Sequence, residues 1–192
     1  ASGLSMPVGF KNCTDGGLDT AINAIIASSA PQSFLGIDSH GQTCIVQTTG
    51  NPHTHLVLRG GTRPNYDSVS VMEALELLRK KNLPESIMID CSHDNSRKNH
   101  RFQSVVWQDA INQRMDGNPG IVGLMLESNL HEGSQKNTCQ LSTMKYGVSI
   151  TDACISWEST ERLLLSAHDH LSGLSGSSNG EAMPRMERYQ VG

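Results

Sequence analysis

Three short apolar runs in this 192-residue chain each end on an ionisable side chain, and that repetition limits the folds open to it. Pro7-Val8-Gly9-Phe10 runs into Lys11, Ser86-Ile87-Met88-Ile89 into Asp90-Cys91-Ser92-His93, and Ile121-Val122-Gly123-Leu124-Met125-Leu126 into Glu127. Strands buried on both faces of a parallel sheet read as near-continuous apolar runs of this kind. A charged group at the point where such a strand emerges lies on the sheet's C-terminal edge, which is where α/β barrels build their active sites.

Helical periodicity fills the gaps between the runs. Leu18, Ala21, Ile22, Ala24, Ile25 and Ile26 share one face, and Ser68 to Lys81 places Val71, Met72, Leu75 and Leu78 at i, i+3, i+4 spacing. A third helix is predicted from Arg97 to about Met115 and is stopped by Asp116-Gly117-Asn118-Pro119; a fourth, capped by Thr151-Asp152, runs through Leu165 or beyond. Phe34 to Ile37 reads as a further strand. Cys44 to Thr48 and His55 to Leu58, on either side of a Gly-Asn-Pro turn, read as an inserted β-hairpin.

The alternation predicts an α/β chain of about four βα units. A complete (β/α)8 TIM barrel needs eight units and typically about 250 residues, so residues 1–171 supply about half of one. Two unpaired parallel edges and an uncovered interior then call for a partner, either a second copy in a homodimer or a separate chain carrying the other half-barrel. A doubly wound open sheet is the competing architecture. Ser172 to Gly192, Ser/Gly-rich and then charged, is expected to be a flexible tail.

A formal charge of −4 gives no electrostatic reason to expect nucleic acid or an anionic membrane. No apolar stretch approaches the roughly 20 residues of a membrane span. The opening Ala1-Ser2-Gly3-Leu4 has neither the basic start nor the apolar segment of a secretion signal, and the absence of an initiator Met leaves a cleaved or partial polypeptide open. Five cysteines (13, 44, 91, 139 and 154), an odd number without C-x-x-C spacing, fit reduced thiols in a cytoplasmic protein.

Five motifs in order then suggest a family. They are Pro7-Val8-Gly9-Phe10-Lys11-Asn12, Leu58-Arg59-Gly60-Gly61, Asp90-Cys91-Ser92-His93 with Asn95-Ser96, Glu127-Ser128-Asn129 with Glu132-Gly133, and Tyr146 to Cys154. In sequence and spacing the chain resembles the C-terminal half of class I 3-deoxy-D-arabino-heptulosonate 7-phosphate (DAHP) synthases. The resemblance implies a metal-dependent condensation of phosphoenolpyruvate with erythrose 4-phosphate, giving DAHP and phosphate, at the head of the shikimate pathway. It makes His93, Glu127 and Asp152 metal ligands, Lys11 the active-site lysine near phosphoenolpyruvate, and Arg59 a phosphate-binding arginine. The family's fourth ligand, a cysteine, its Lys-Pro-Arg-Thr loop and a further arginine belong to the half without a counterpart here. Two residues depart from the pattern. Cys13 stands where Gly is usual, a cost if the position needs φ > 0, and Asp94 stands where Ala or Gly is usual and adds negative charge beside the metal.

The residue types suit that chemistry. An imidazole and two carboxylates favour Mn²⁺, with Fe²⁺, Co²⁺ or Zn²⁺ also accommodated, over Cu(I). Lys11 and Arg59 supply the cations a phosphorylated carboxylate requires, and Lys11 could donate a proton if its neighbours lower its pKa. Each residue alone has an ordinary reading: a hydrogen-bonded histidine, a solvated Glu127, a helix-capping Asp152, a surface-paired Arg59. Cys13 is either a bystander or a thiol that stands in for the missing ligand. Two other functions compete with the synthase: a truncated relative acting on a different small acid, and a non-catalytic half-barrel that regulates a full-length enzyme. For the latter, the resemblance places an aromatic amino-acid site near Ser5 and Phe34 to Ile37.

Overall fold

The computed structural model describes residues 1–138 and 140–176. In chain order the elements are β1 (Val8–Lys11), α1 (Asp19–Ser29), β2 (Ser33–Ile37), β3 (Thr43–Gln47), β4 (Thr54–Leu58), α2 (Ser68–Lys80), β5 (Ile87–Asp90), α3 (Gln103–Met115), β6 (Ile121–Met125), β7 (Ser128–Asn129), β8 (Ile155–Ser156) and α4 (Trp157–Gly176). β1, β4, β5 and β6 form one parallel sheet in that order. Each new strand is added on the same side. A doubly wound sheet reverses direction part-way, so the described strands follow the singly wound order of a barrel wall instead. β7 and β8 continue it as a short parallel pair, and the Ile155 amide donates to the Glu127 carbonyl at 3.0 Å.

The hairpin lies elsewhere than its sequence suggested. β2 pairs antiparallel with β3, and 54–58 is a central strand of the parallel sheet. The burial patterns give the reason. β4 is buried along nearly its whole length, as a strand covered on both faces must be, whereas β2 and β3 are largely exposed. The reversal is made at Asp38-Ser39-His40-Gly41-Gln42, where Asp38 Oδ1 accepts from the His40 and Gln42 amides at 2.8 and 2.9 Å and Gly41 takes φ +77°. Gly50-Asn51-Pro52 is a corner between β3 and β4 pinned by the buried Asn51, which donates to the Met6 carbonyl at 2.9 Å and accepts from the His53 amide at 2.9 Å.

The helices cover one face of the sheet. Ile22 and Ile25 of α1, Val71, Ala74 and Leu78 of α2, and Val106, Trp107, Ala110 and Ile111 of α3 pack with Leu56, Leu58, Ile87, Ile89 and Ile121. α2 starts where Asp67 caps it, accepting from the Val69 and Ser70 amides at 3.1 and 3.0 Å. α4 starts at Trp157, later than predicted; the Ser156 hydroxyl accepts the Ser159 amide at 3.2 Å, so Asp152 is not its cap. Residues 172–176 of the expected tail continue α4, and the remainder lies outside the described residues. Among the described residues no helix is long and apolar enough to cross a membrane.

Side-chain alternation then decides what reaches the opposite face. Phe10, Leu58 and Ile89 point to the helix side, so Lys11, Arg59 and Asp90, one residue on, turn inward at the C-terminal edge. In β6 the alternation is broken once: Ile87 pairs with Ile121, Met88 with Gly123, and Val122 is left as a bulge, 57% exposed. Leu124 and Leu126 thereby join the core side with Ile121. Without the extra residue Glu127 would face the helices; the bulge turns it inward beside Asp90.

Candidate metal centre

Asp90 organises the inward-facing rim. It is fully buried, and Lys11 Nζ donates to its Oδ2 at 2.6 Å while the Ser92 hydroxyl and amide donate to Oδ1 at 2.6 and 2.9 Å. Burial alone would push this carboxyl up. The hydrogen bonds from Lys11 and Ser92, with the lysine's charge, outweigh it and hold Asp90 below the usual carboxylate range. The same Oδ2 lies 2.8 Å from His93 Nδ1, which is also 2.7 Å from the Ser92 hydroxyl. An ionised acceptor at this position assigns the proton to Nδ1 and leaves the Nε2 lone pair pointing into the site. His93 itself takes φ +52°, a left-handed turn that lifts the imidazole off the strand end.

Facing Nε2 are Glu127 Oε1 at 3.7 Å and Asp152 Oδ2 at 3.8 Å. One ligand-type atom from each of the three residues lies within 4.8 Å of the others. Two ligands about 2.1 Å from one ion sit about 3.0–4.2 Å apart, so both separations from Nε2 fit a shared divalent cation. Glu127's environment adds to the fit: burial first, then the nearby Asp152 and Asp90 carboxylates, raise its pKa against the opposing pull of His93 and Lys11. A cation between them would remove that cost. His93, Glu127 and Asp152, with Arg59, Ser92, Lys98, His100 and Gln103, line a cavity of about 220 Å³. Cys13 is outside the ligand group, and its backbone has no positive φ, so replacing Gly there carries no conformational penalty.

Glu127 is held by a residue whose role the sequence did not reveal. Gln103, fully buried at the start of α3, accepts from the Glu127 amide at 2.8 Å and donates to its carbonyl at 3.1 Å. Replacing Gln103 by alanine strands the Glu127 amide, while the carbonyl keeps the Ile155 amide, and is expected to cost about 2 kcal/mol in urea unfolding, given about 1–3 kcal/mol per buried polar group left unpaired. It should also weaken metal binding about tenfold, since supporting residues typically contribute 10–100-fold.

Arg59 stands beside the cavity on a loop fixed by three asparagines. The Arg59 amide donates to Asn12 Oδ1 at 2.8 Å, Asn65 accepts from the Gly60 amide at 2.8 Å, and Asn95 accepts from the Asn65 amide at 2.8 Å. Gly60 has φ +80°, and a methyl group on it would lie 2.5 Å from the Asn95 nitrogen and 2.6 Å from the Asp94 carbonyl carbon. Gly60→Ala is therefore expected to lower stability by about 3 kcal/mol, left-handed strain and overpacking against backbone combined, read as a shift in denaturant midpoint. The Arg59 side chain meets Asp94, Nη1 to Oδ2 at 3.0 Å, with both side chains mostly buried. Nη1 makes no hydrogen bond, so the contact is one of charge alone.

A sequence model of the DAHP synthetase I family matches residues 1–165. The chain belongs to the DAHP synthetase I family. It is 54% identical over 173 residues to the Tyr-sensitive phospho-2-dehydro-3-deoxyheptonate aldolase of Salmonella typhimurium, covering 90% of this chain and 49% of that protein. Against the Tyr-sensitive enzyme of Enterobacter agglomerans the identity is 53% over 174 residues, covering 91% of this chain and 82% of that one. The solved phospho-2-dehydro-3-deoxyheptonate aldolase of Francisella tularensis superposes with a TM-score of 0.82 at 37% identity, covering 89% of this chain and 50% of that chain. The chain thus spans about half the length of the Salmonella and Francisella proteins, and its α/β fold with a parallel sheet is that of the Francisella structure.

Proposed function

We propose that this chain carries the metal-binding and phosphoenolpyruvate-binding part of an enzyme that condenses phosphoenolpyruvate with erythrose 4-phosphate, giving DAHP and inorganic phosphate at the first step of the shikimate pathway. The observation that carries the reading is the convergence of His93, Glu127 and Asp152 on one point, with Lys11 joined to the same cluster through Asp90 and Arg59 lining the same cavity. Family membership supports it. In this reading the chain is one half of a TIM barrel, residues 1–171 being the barrel portion, and strands outside the 192 residues close it. The exposed edge of β1 and the exposed Trp157, Leu164 and Leu165 of α4 are where such a partner segment would pack. In this reading the enzyme acts in the cytoplasm.

His93, Glu127 and Asp152 would hold the cation, with Mn²⁺ as the first choice for one imidazole and two carboxylates. When bound, it supplies Lewis-acid polarisation of an aldehyde carbonyl. Asp90 fixes the imidazole tautomer that leaves Nε2 free to bind, and it anchors Lys11. Lys11 and Arg59 receive the phosphate and carboxylate of phosphoenolpyruvate, holding its enol carbon toward the acceptor carbonyl. A carbon–carbon bond forms between the two; water adds at the adjoining carbon, and phosphate leaves with its C–O bond cleaved. Combining the chain with the other half of the barrel, Mn²⁺ and both substrates should release inorganic phosphate, and Arg59→Ala should lower kcat/KM about 100-fold. No phosphate above the blank contradicts the reading.

A further inference from the structure

Asp94 stands where it can decide what the Arg59 guanidinium binds. Its carboxylate is 3.0 Å from Arg59 Nη1, and the two side chains are only 21% and 14% exposed. The position is built. His93 turns the chain through φ +52°, the Asp94 and Asn95 amides both donate to the Arg59 carbonyl at 3.2 and 3.3 Å, and Gly60 packs directly on the Asp94 backbone. Yet the arginine's donor is not used: Nη1 is buried and makes no hydrogen bond. Full charge proximity with no directed bond is an arrangement that a better-shaped anion can replace, because a phosphate offers three oxygens and a second negative charge to the planar fork.

We propose that Asp94 is a tethered competitor for the Arg59 subsite, so that a phosphorylated substrate binds there by displacing the Asp94 carboxylate. This rests on the reading of Arg59 as a phosphate contact. Displaced, Asp94 has cations to turn toward, since it lines a neighbouring cavity of about 420 Å³ with Arg63, Arg97 and Lys98. The device makes Asp94 a specificity-determining residue. It lowers affinity for every anion, and simple monocarboxylates, which match its own charge and fork geometry, gain nothing by the exchange.

Calorimetric titration of the purified chain with inorganic phosphate, in the wild-type, Asp94→Asn, Asp94→Ala, Arg59→Ala and Arg59→Ala/Asp94→Asn forms, tests this. Either Asp94 substitution should tighten phosphate binding about tenfold when Arg59 is present and leave it unchanged when Arg59 is absent. The two Asp94 variants guard against one of them misfolding, which far-UV circular dichroism reports. Unchanged or weaker binding in both Asp94 variants, with binding lost in Arg59→Ala, overturns the competitor and makes Asp94 a support for the arginine. Phosphate binding that is equal in wild type and Arg59→Ala, or absent from all forms, removes the Arg59 reading itself and the proposal with it.

Discussion

Replacing His93 by alanine is expected to lower Mn²⁺ affinity by more than about 100-fold, measured by calorimetry at neutral pH. Removing a group that merely supports a ligand typically costs 10–100-fold, and His93 is the only nitrogen donor in the three-residue cluster, so its loss should exceed that range. The two remaining carboxylates do not compensate. Asp152 is 71% exposed in its side chain and reaches the site from a loop, while Glu127 must be deprotonated against a pKa raised chiefly by burial. Stability should respond far less, because the imidazole sits at the cavity wall and fills no part of the apolar core. That asymmetry separates a ligand from a structural histidine, for which unfolding free energy and metal affinity would fall together or metal affinity not at all.

Asp90→Ala is expected to lower stability by about 3 kcal/mol in chemical denaturation. Breaking a buried ion pair by deleting one partner typically costs 3–5 kcal/mol; the low end applies because Lys11 keeps contact with solvent. Metal affinity should fall 10–100-fold at the same time, since the imidazole loses the acceptor that fixes its tautomer. The pH dependence has a definite sign. Asp90 has a folded pKa below its unfolded value of about 3.9, so its contribution is fully present above that value and is lost as pH falls through the lower folded value. Asp90→Asn should therefore flatten the loss of stability below about pH 4, while leaving the curve near pH 7 shifted down but parallel. An unaltered acid limb would mean that folding does not lower the Asp90 pKa.

Much of this site was legible because buried parallel strands announce themselves as unalternating apolar runs, and the first polar residue after each marks its exit. Lys11 and Glu127 were found in that way, and His93 three residues beyond Asp90; Arg59 came from the family resemblance, at the end of a strand read as part of the hairpin. The hairpin was misassigned because 33–37, 43–47 and 54–58 are all short and β-prone; only burial separates the fully covered β4 from the wet pair β2–β3, and burial is a property of the finished fold. Glu127 was among the residues named, yet period-two reading from Ile121 would send it outward; the bulge at Val122 that reverses it depends on pairing with β5. Asp90 was quoted only as part of a motif, although a carboxylate directly after Ile87-Met88-Ile89 was a signal that a partner must exist for it. Gln103 carried no such signal. A glutamine opening a helix is ordinary, and its contacts to Glu127 bridge 24 positions of chain. Asp94 was recognised as an added charge, but its pairing with Arg59 required the loop geometry around Gly60.

The convergence of three side chains on one cation is the claim on which the functional reading stands. Anomalous scattering from crystals grown with Mn²⁺ measures it directly. The account predicts one strong peak bonded to His93 Nε2 and to carboxylate oxygens of Glu127 and Asp152, at about 2.0–2.3 Å. A peak held by other residues, or no peak at saturating Mn²⁺, would contradict it.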